Sequence, residues 1–534
     1  MAVKICAAEA VTARFLTWLD AADARRFAAV LALVALVVRG SGFFLSFYSG
    51  DEATYSALAR RILAGAIPYA SAVDHKPVAI ELVYAAIYAL PGGLGLRGVR
   101  ALFVLVVYLT ALVLGSLTRQ VSAADGLDAG AARRAGRLAA LCYVLASAWG
   151  FASDVQAANT ELLLDLPIAL GALLYWRALR RPSVLEATLA GVLVGLAGMC
   201  KYQAALIGGA FAAFGLITAN VSPGRTRRAT AAIALGFTAV ALVYVGFFRA
   251  SGNWDAFTYW GWRFNFAYMS ILSTQVILWN AATRTAWVLL MWAPLWMGGR
   301  AMRLDERRHA LALVVPWASM ATLAIAFGGR FFPHYYLMAL PPLVVWAAPG
   351  LVRLLEARRA RSVLLAAGLV TTASLVMAWG WYALKPSLRR SSTAYRAVGA
   401  YLRAHGAPDD RVFVWGNSPE IYELSGLRMG TRFPFCNYHT GLIWGSPLYD
   451  DNAPGAEAHI VARAWTELLA DLDAAPPAFI VDAAAGGLDH FERHPSTRYR
   501  PLASAIAESY VLDAIVAAVP VYRRRDLVAG PPAL

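Results

Sequence analysis

Long apolar runs separated by short polar connections make up the chain from about residue 27 to residue 384. A helix of about 20 apolar residues crosses the ~30 Å hydrocarbon core of a membrane. Eleven runs are long enough, and they start near residues 27, 97, 136, 160, 184, 203, 230, 282, 309, 334 and 362. The pattern predicts an all-α polytopic membrane protein with about eleven transmembrane helices.

A twelfth apolar run, residues 78–90, is short for a span, contains Glu81 and ends at Pro91. If this run does not span, the arginine clusters of the connections lie on the same side as the N-terminus, as the positive-inside rule requires. Those clusters are Arg133/Arg134/Arg137, Arg177/Arg180/Arg181, Arg225/Arg227/Arg228, Arg300/Arg303/Arg307/Arg308 and Arg353/Arg358/Arg359/Arg361. We therefore expect a juxtamembrane or re-entrant helix here.

The last 150 residues have the composition of a soluble domain. Helical patterns alternate here with short apolar segments, which is typical of a small α/β domain. The helical patterns lie at 393–405, 419–424 and 456–472, and the apolar segments lie at 411–415, 478–482 and 520–524. An odd number of spans places this domain outside the cytoplasm. We expect a cytoplasmic N-terminus (1–26), a membrane domain (27–384) with an outer loop at 48–96, and an extracytoplasmic domain (385–534).

Composition narrows the class of protein. The chain is 59% hydrophobic and 15% charged, with a net charge of +15. Because the basic residues lie in short clusters between apolar runs, they indicate membrane orientation and not nucleic-acid binding. The four cysteines form no disulfide framework or CxxC motif. No cleavage signal precedes the first run, so we expect a retained first helix.

The first outer loop carries charges at both ends. Asp51 and Glu52 open it, and Asp74-His75-Lys76-Pro77 closes it. A carboxylate can accept a proton from an attacking hydroxyl, and a cation can stabilise a phosphate leaving group. The structural alternatives are helix capping by Asp51 and a lipid-headgroup contact by Lys76. The helix between the two ends, with Tyr55 on its apolar side, is expected to lie in the membrane interface.

Polar, charged and aromatic residues recur at the other outer connections. They are Asn159 and Glu161 before the fourth span, Lys201 after the fifth, Arg263 within the aromatic segment 254–270, and Arg330, His334 and Tyr335 at the tenth. Helix capping, snorkelling and an aromatic belt are their structural alternatives. Ionisable groups near hydrocarbon are costly, which favours a function for the set. No phosphate-binding loop or dinucleotide fingerprint is present, which disfavours direct use of a soluble nucleotide.

Taken together, these motifs resemble the GT-C superfamily of membrane glycosyltransferases, near the lipid A aminoarabinose transferases and the protein O-mannosyltransferase-like enzymes. The resemblance covers about residues 43–342. It depends on Asp51-Glu52 with Tyr55, Tyr69 with Asp74-His75-Lys76-Pro77, Asn159-Thr160-Glu161, Lys201, and Arg330 with Pro333-His334-Tyr335.

The resemblance implies a sugar donor linked to polyprenyl phosphate, a cell-envelope acceptor and an inverting transfer. It also implies that the reaction takes place at the outer face of a bacterial inner membrane, with the domain 385–534 in the periplasm. It implies that Asp51 is the general base, with Glu52 beside it, and that Lys76 contacts the donor phosphate with help from Lys201, Arg330 and His334. The expected substrate contacts are Tyr55, Asp74, His75, Asn159, Glu161, Arg263 and Tyr335. Metal dependence stays open, because His75 stands where some relatives have an acidic residue. The alternatives are a ligase or polymerase with a diphosphate-linked donor, and a lipid or sugar transporter or flippase.

Overall fold

A computed structural model describes residues 2–218, 223–357, 360–444 and 455–528. Arg358 and Arg359 of the predicted cytoplasmic clusters lie outside these residues. The chain forms two compact units, each assembled from three separated stretches. The first unit comprises Met1–Leu45, Arg97–Ser251 and Ile277–Trp379, and the second comprises Ser46–Leu96, Gly252–Val276 and Gly380–Leu534. The boundaries expected at residues 27 and 385 stay a prediction.

The first unit is helical, and each of the eleven apolar runs contains an α-helix. Its helices are Ala2–Ala21, Ala24–Arg39, Gly95–Ala124, Ala129–Ala146, Ala152–Val155, Thr160–Arg180, Val184–Cys200, Leu206–Thr218, Pro223–Ala250, Thr274–Met291, Ala293–Arg300, Arg308–Ala326, Leu340–Glu356 and Ala360–Trp379. Short 3-10 helices at Gly40–Phe43, Tyr202–Ala205, Asp305–Arg307 and Pro333–Ala339 adjoin them.

Within the described residues, seven helices are long and apolar enough to cross a membrane. They are Ala24–Phe43, Gly95–Ala124, Thr160–Arg180, Thr226–Ala250, Asp305–Ala326, Pro333–Glu356 and Ser362–Trp379. The protein is therefore a multi-pass membrane protein, as predicted. Four of the eleven predicted spans are missing from this set. Ala129–Ala146 contains three arginines, Val184–Cys200 and Leu206–Thr218 have only 17 and 13 residues, and Thr274–Met291 contains Asn280 and Arg284 among its apolar residues.

Glycines bring two helices of the first unit into close contact. A Cβ atom at Gly191 would lie 2.0 Å from the carbonyl oxygen of Ile233, and one at Gly236 would lie 2.1 Å from that of Thr188. Both contacts join Val184–Cys200 to Pro223–Ala250. Membrane helices associate through such small residues, because lipid supplies no hydrophobic driving force between them.

The second unit contains a five-stranded sheet of order β2-β1-β3-β5-β4. Its strands are β1 (Arg411–Trp415), β2 (Arg428–Met429), β3 (Phe479–Asp482), β4 (Tyr510–Val516) and β5 (Val519–Arg524). β1 is parallel to β2 and β3, whereas β5 is antiparallel to β3 and β4. The α/β fold class and the strands expected at 411–415, 478–482 and 520–524 are confirmed.

The helices of this unit come from all three of its stretches. They are Gly50–Leu63, Ala79–Tyr88, Trp254–Ala256, Phe264–Ser270, Trp381–Leu384, Pro386–His405, Glu420–Ser425, Asn437–Thr440, Ala462–Ala474 and Arg500–Ser509, with a π-helix at Phe257–Arg263 and 3-10 helices at Ala456–His459, Ser496–Arg498 and Arg525–Leu527. Ala79–Tyr88 has 10 residues, about 15 Å of rise. This is half the thickness of the hydrocarbon core, in keeping with the expectation that it does not span.

The helix Gly50–Leu63 forms as predicted, but the expectation that its apolar side lies in the membrane interface is wrong. Ala57 and Leu58 are buried in a core with Val398 and Ile421 of the C-terminal stretch. Arg60 also binds Glu423, with Nε donating to Oε2 at 2.7 Å. The pattern of apolar and charged positions could not distinguish protein from lipid as the partner of this helix.

Candidate functional site

An ion pair joins the two ends of the first outer loop. Asp51 lies in the first turn of Gly50–Leu63, and Lys76 lies shortly before Ala79–Tyr88. Lys76 Nζ donates a hydrogen bond to Asp51 Oδ1 at 2.9 Å. The side chains are 35% exposed for Asp51 and 27% exposed for Lys76. A proton acceptor and a cation therefore lie together within reach of solvent. The N-cap of the helix is Ser49, so Asp51 is not the capping residue.

Asp74 is a second carboxylate beside Lys76. Its Oδ2 lies 3.6 Å from Lys76 Nζ, and its Oδ1 accepts a hydrogen bond from the His75 backbone N–H at 2.6 Å. The His75 ring Nδ1 lies 3.0 Å from the same Oδ1 and 3.3 Å from the Tyr438 hydroxyl. Asp74 and His75 are both buried. We call Asp51, Asp74, His75 and Lys76 the first-loop group.

The charges of this group stabilise one another. Burial alone would lower the pKa of Lys76, but the carboxylates of Asp51 and Asp74 outweigh it, and the pKa lies well above its ordinary value. Burial would raise the pKa of Asp74, but the Lys76 ammonium and the hydrogen bond from His75 hold it well below its ordinary value. Lys76 is thus a cation and Asp74 an anion at neutral pH.

Glu52, predicted beside the base, is fully buried. Its Oε2 accepts a hydrogen bond from the Tyr48 backbone N–H at 2.9 Å, which fixes the entry of the chain into the helix carrying Asp51. Tyr55 lies one turn further along, and its ring centroid is 4.9 Å from Lys76 Nζ. A cation over an aromatic face is a favourable contact. The structure thus brings Tyr55 to the first-loop group and directs Glu52 to the backbone.

The aromatic segment 254–270 covers the end of the first loop. The ring of Phe257 lies 5.6 Å from that of Tyr69, and the ring of Phe264 lies 5.8 Å from that of His75. Asn265 Nδ2 donates a hydrogen bond to the His75 carbonyl oxygen at 2.8 Å. Arg263 is on the exposed side of this segment. The structure therefore does not place the Arg263 side chain on the covering face.

Glu81 borders the first-loop group from the helix Ala79–Tyr88. It lines a small cavity together with Asp74, Lys76 and Tyr69, between the apolar side chains of Leu58, Ile62 and Val78. Only 3% of Glu81 is exposed, and among the described residues neither carboxyl oxygen has a hydrogen-bond partner. Sequence reasoning did not assign Glu81, although a carboxylate inside an apolar run was a signal for it.

The remaining predicted residues lie in the first unit, where helix ends carry a second group of charges. Lys201 Nζ forms an ion pair with Glu161 Oε1, and it lies 3.1 Å from the centroid of the Tyr335 ring. His334 Nδ1 lies 3.2 Å from Asp154 Oδ1. Lys201 is buried in these contacts and does not snorkel to water. We call these five residues the helix-end group.

Asn159 and Arg330 are buried in the same unit. Asn159 is the N-cap of Thr160–Arg180 but makes no side-chain capping bond, and neither polar atom of its amide has a hydrogen-bond partner in the described part of the chain. The Arg330 carbonyl oxygen accepts a hydrogen bond from Arg284 Nη1 at 2.6 Å. The described residues contain no group of three or more His, Cys, Asp and Glu side chains placed to hold a metal ion.

Comparison with solved structures finds the same fold in ArnT from Cupriavidus metallidurans, in its apo state. The TM-score is 0.57 at 15% sequence identity, over 94% of this chain and 98% of that chain. AglB from Archaeoglobus fulgidus, an archaeal oligosaccharyltransferase in complex with an inhibitory peptide and a dolichol-phosphate, matches with a TM-score of 0.46 and 12% identity over 95% of this chain and 74% of that chain.

The resemblance to the GT-C superfamily, predicted from the motifs, is confirmed as a resemblance of fold. No protein-family model matches the chain, and no curated protein matches it.

Proposed function

We propose that this protein is an inverting glycosyltransferase that moves a sugar from a polyprenyl-phosphate donor to a hydroxyl of a cell-envelope glycan, lipid or protein. The reaction takes place at the outer face of a bacterial inner membrane. The observation that carries the proposal is the Asp51–Lys76 pair, a partly exposed carboxylate 2.9 Å from an ammonium group in a membrane protein with the ArnT fold.

The proposed step is a single displacement at the anomeric carbon. Asp51 takes the proton of the acceptor hydroxyl as its oxygen attacks, and the bond between the anomeric carbon and the phosphate oxygen breaks. The polyprenyl phosphate leaves with the electron pair, and Lys76 balances its charge. Attack opposite the leaving group inverts the anomeric centre.

The ion pairs of Lys76 suggest an order of binding. Asp51 and Asp74 share the ammonium, and a phosphate that binds Lys76 competes with them for it. Asp51 is the more exposed of the two carboxylates, so it is the partner that a donor displaces. Donor binding would then free Asp51 to act as the base. Lys201 and His334 are paired with carboxylates that are less exposed than Asp51, at 1% for Glu161 and 16% for Asp154 against 35%, so we assign the principal phosphate contact to Lys76.

The proposal is tested with the full-length protein in liposomes and a panel of polyprenyl-monophosphate sugars. Release of free polyprenyl phosphate is measured for the wild type and for Asp51→Asn. We expect at least one donor to be turned over, and we expect Asp51→Asn to lower the rate by about 10²–10⁴-fold while donor binding is kept. Asp409→Asn is the control, because it removes an 85% exposed carboxylate elsewhere.

Full activity in a folded Asp51→Asn variant would exclude Asp51 as the base. Turnover of diphosphate-linked donors alone would favour a ligase or polymerase. Movement of lipid-linked sugar across the liposome membrane without bond cleavage would favour a flippase.

A further inference from the structure

The cavity beside Lys76 presents one hydrogen-bond donor and one acceptor that the described structure leaves unused. Asp74 Oδ2 has no hydrogen bond within the described residues, and it contacts Lys76 only at 3.6 Å. Glu81 has two carboxyl oxygens without a hydrogen-bond partner there, although the side chain is 97% buried. A buried polar group without a partner destabilises the protein, and a ligand that supplies the missing hydrogen bond removes this cost.

The charge around Glu81 determines which of its forms is present. Burial raises its pKa well above the ordinary value, and the negative charges of Asp74 and Asp51 add to this, while Lys76 opposes it. The protonated, neutral carboxylic acid is therefore the favoured form of Glu81. In this form it carries one O–H donor, next to the Asp74 carboxylate, which only accepts.

A hydroxyl group is the ligand chemistry that matches this arrangement. Its oxygen can accept from the Glu81 O–H, and its proton can be donated to Asp74 Oδ2. A phosphate would meet the Asp74 carboxylate and be repelled. The apolar side chains of Leu58, Ile62 and Val78 provide contacts for the C–H groups that carry the hydroxyl.

Building on the proposed function, we propose that Glu81 and Asp74 form a subsite that binds one hydroxyl of the donor sugar and so helps to determine which sugar is transferred. The donor is the partner because Lys76 borders both the cavity and the position assigned to the donor phosphate. In the donor, the sugar is attached directly to that phosphate. Glu81 is thus a specificity-determining residue that touches the substrate away from the reacting bond.

The test uses the donor that the wild type turns over, together with the series of its mono-deoxy analogues. For the wild type we expect one analogue to lose about 10–100-fold in kcat/KM, because it lacks the hydroxyl that makes the buried hydrogen bonds. Glu81→Leu should lose part of this factor with the parent sugar and show a smaller further loss with that analogue, because both changes remove the hydrogen bond between Glu81 and the hydroxyl. Glu81→Gln, which keeps a donor and an acceptor, should retain the discrimination.

The pH profile supplies a second measurement that does not depend on the leucine variant folding. With the wild type, kcat/KM for the parent sugar should fall as pH rises through the pKa of Glu81, because the carboxylate has no proton to donate. Glu81→Gln does not titrate, so its profile should lack this alkaline decline.

Three results would overturn the subsite. They are unchanged discrimination in Glu81→Leu, discrimination that appears only with deoxy analogues of the acceptor, and an alkaline decline that persists in Glu81→Gln. Each of these leaves the proposed function standing if the wild type turns over a donor. Failure of the wild type with every donor would instead overturn the proposed function, and the subsite with it.

Discussion

Two carboxylates share a single lysine in the first-loop group. Asp51 and Asp74 flank Lys76 at 2.9 and 3.6 Å, and the buried Asp74 belongs to the fixed part of the structure. The more exposed Asp51 can exchange Lys76 for another partner with less loss of buried contacts. At the scale of residues, this difference in burial gives the two carboxylates different roles: Asp74 positions Lys76, and Asp51 is the one that can react.

Replacing Asp74 should show its role in stability. We expect Asp74→Asn to lower the free energy of unfolding by about 1–3 kcal/mol at neutral pH, because Lys76 and His75 lose a charged partner. The folded-state pKa of Asp74 lies below its ordinary value of 3.8, so its contribution is present above pH 3.8 and is lost as pH falls further. Thermal unfolding of wild type and variant in detergent should show a difference that narrows below about pH 4.

A difference that stays constant from pH 7 to pH 3, or one that widens toward acid, would contradict this assignment. Asp409→Asn again serves as the control, because its exposed carboxylate should give almost no change.

Sequence could predict those residues of the site that lie close together along the chain. Asp51, Asp74 and Lys76 flank one loop, so their charges alone indicated a common chemistry. Partners such as Asn265 and Tyr438 could not be predicted, because 190 and 363 residues separate them from His75. Only the folded second unit brings them into contact.

Among the elements, the segment 254–270 packs on the first loop and restrains its shape. Its π-helix Phe257–Arg263 places Gly261 against the Tyr69 ring, and a Cβ there would lie 3.0 Å from Tyr69 Cζ. Tyr69 has a positive φ of 64° and donates its hydroxyl to the Lys76 carbonyl oxygen at 2.8 Å. The Tyr69 backbone N–H also donates to the Ala72 carbonyl oxygen at 2.7 Å, so both the main chain and the hydroxyl of Tyr69 are restrained.

Gly261→Ala should therefore disturb the first loop through packing alone. We expect a destabilisation of about 1–3 kcal/mol, typical of overpacking, together with a reduced transfer rate, because Tyr69 holds the backbone of Lys76. The measurements are the unfolding temperature and the release of polyprenyl phosphate. Gly209→Ala is the matched control, since a Cβ at Gly209 meets nothing within 4 Å.

Unchanged stability and activity in Gly261→Ala would mean that the Tyr69 contact yields without cost. Equal losses in both glycine variants would point to a general effect of the substitution.

Strands with a strong apolar pattern in the sequence were predictable, and strands with a weak pattern were not. β1 and β3 are almost fully buried, so they appear as continuous apolar runs, as central strands do. β2 has two residues and is too short to leave a pattern. β4 pairs only with β5 at the sheet edge, and most of its residues are partly exposed. The partner of Gly50–Leu63 was not predictable, because protein and lipid select the same apolar side.

On the scale of the whole molecule, the positive-inside rule predicts on which side of the membrane each connection lies. Arginine clusters between the predicted spans place the connections at 177–181 and 300–308 in the cytoplasm. The same reasoning places residue 385 and the sheet on the opposite side.

Single cysteines would test this orientation in a background with the four natural cysteines replaced by serine. A maleimide that cannot cross membranes should label Ser387→Cys in cells whose inner membrane is intact. Arg181→Cys should be labelled only after permeabilisation. Both positions are exposed, so access to the reagent depends on the side of the membrane. Labelling of both from outside would contradict the odd number of spans, and the reverse result would contradict the orientation.

The assembly of the second unit from three distant stretches has a consequence for biosynthesis. Arg61 Nη1 donates to the Met429 carbonyl oxygen at 2.6 Å, although 368 residues separate the two. A ribosome that adds about 5–20 residues per second needs roughly 20–70 s to cover that interval. With the predicted orientation, the nascent first loop is exported during this time without the partner that will bury Ala57 and Leu58. Quality-control proteases and chaperones outside the membrane would thus meet the proposed catalytic loop before any other part of the second unit has formed.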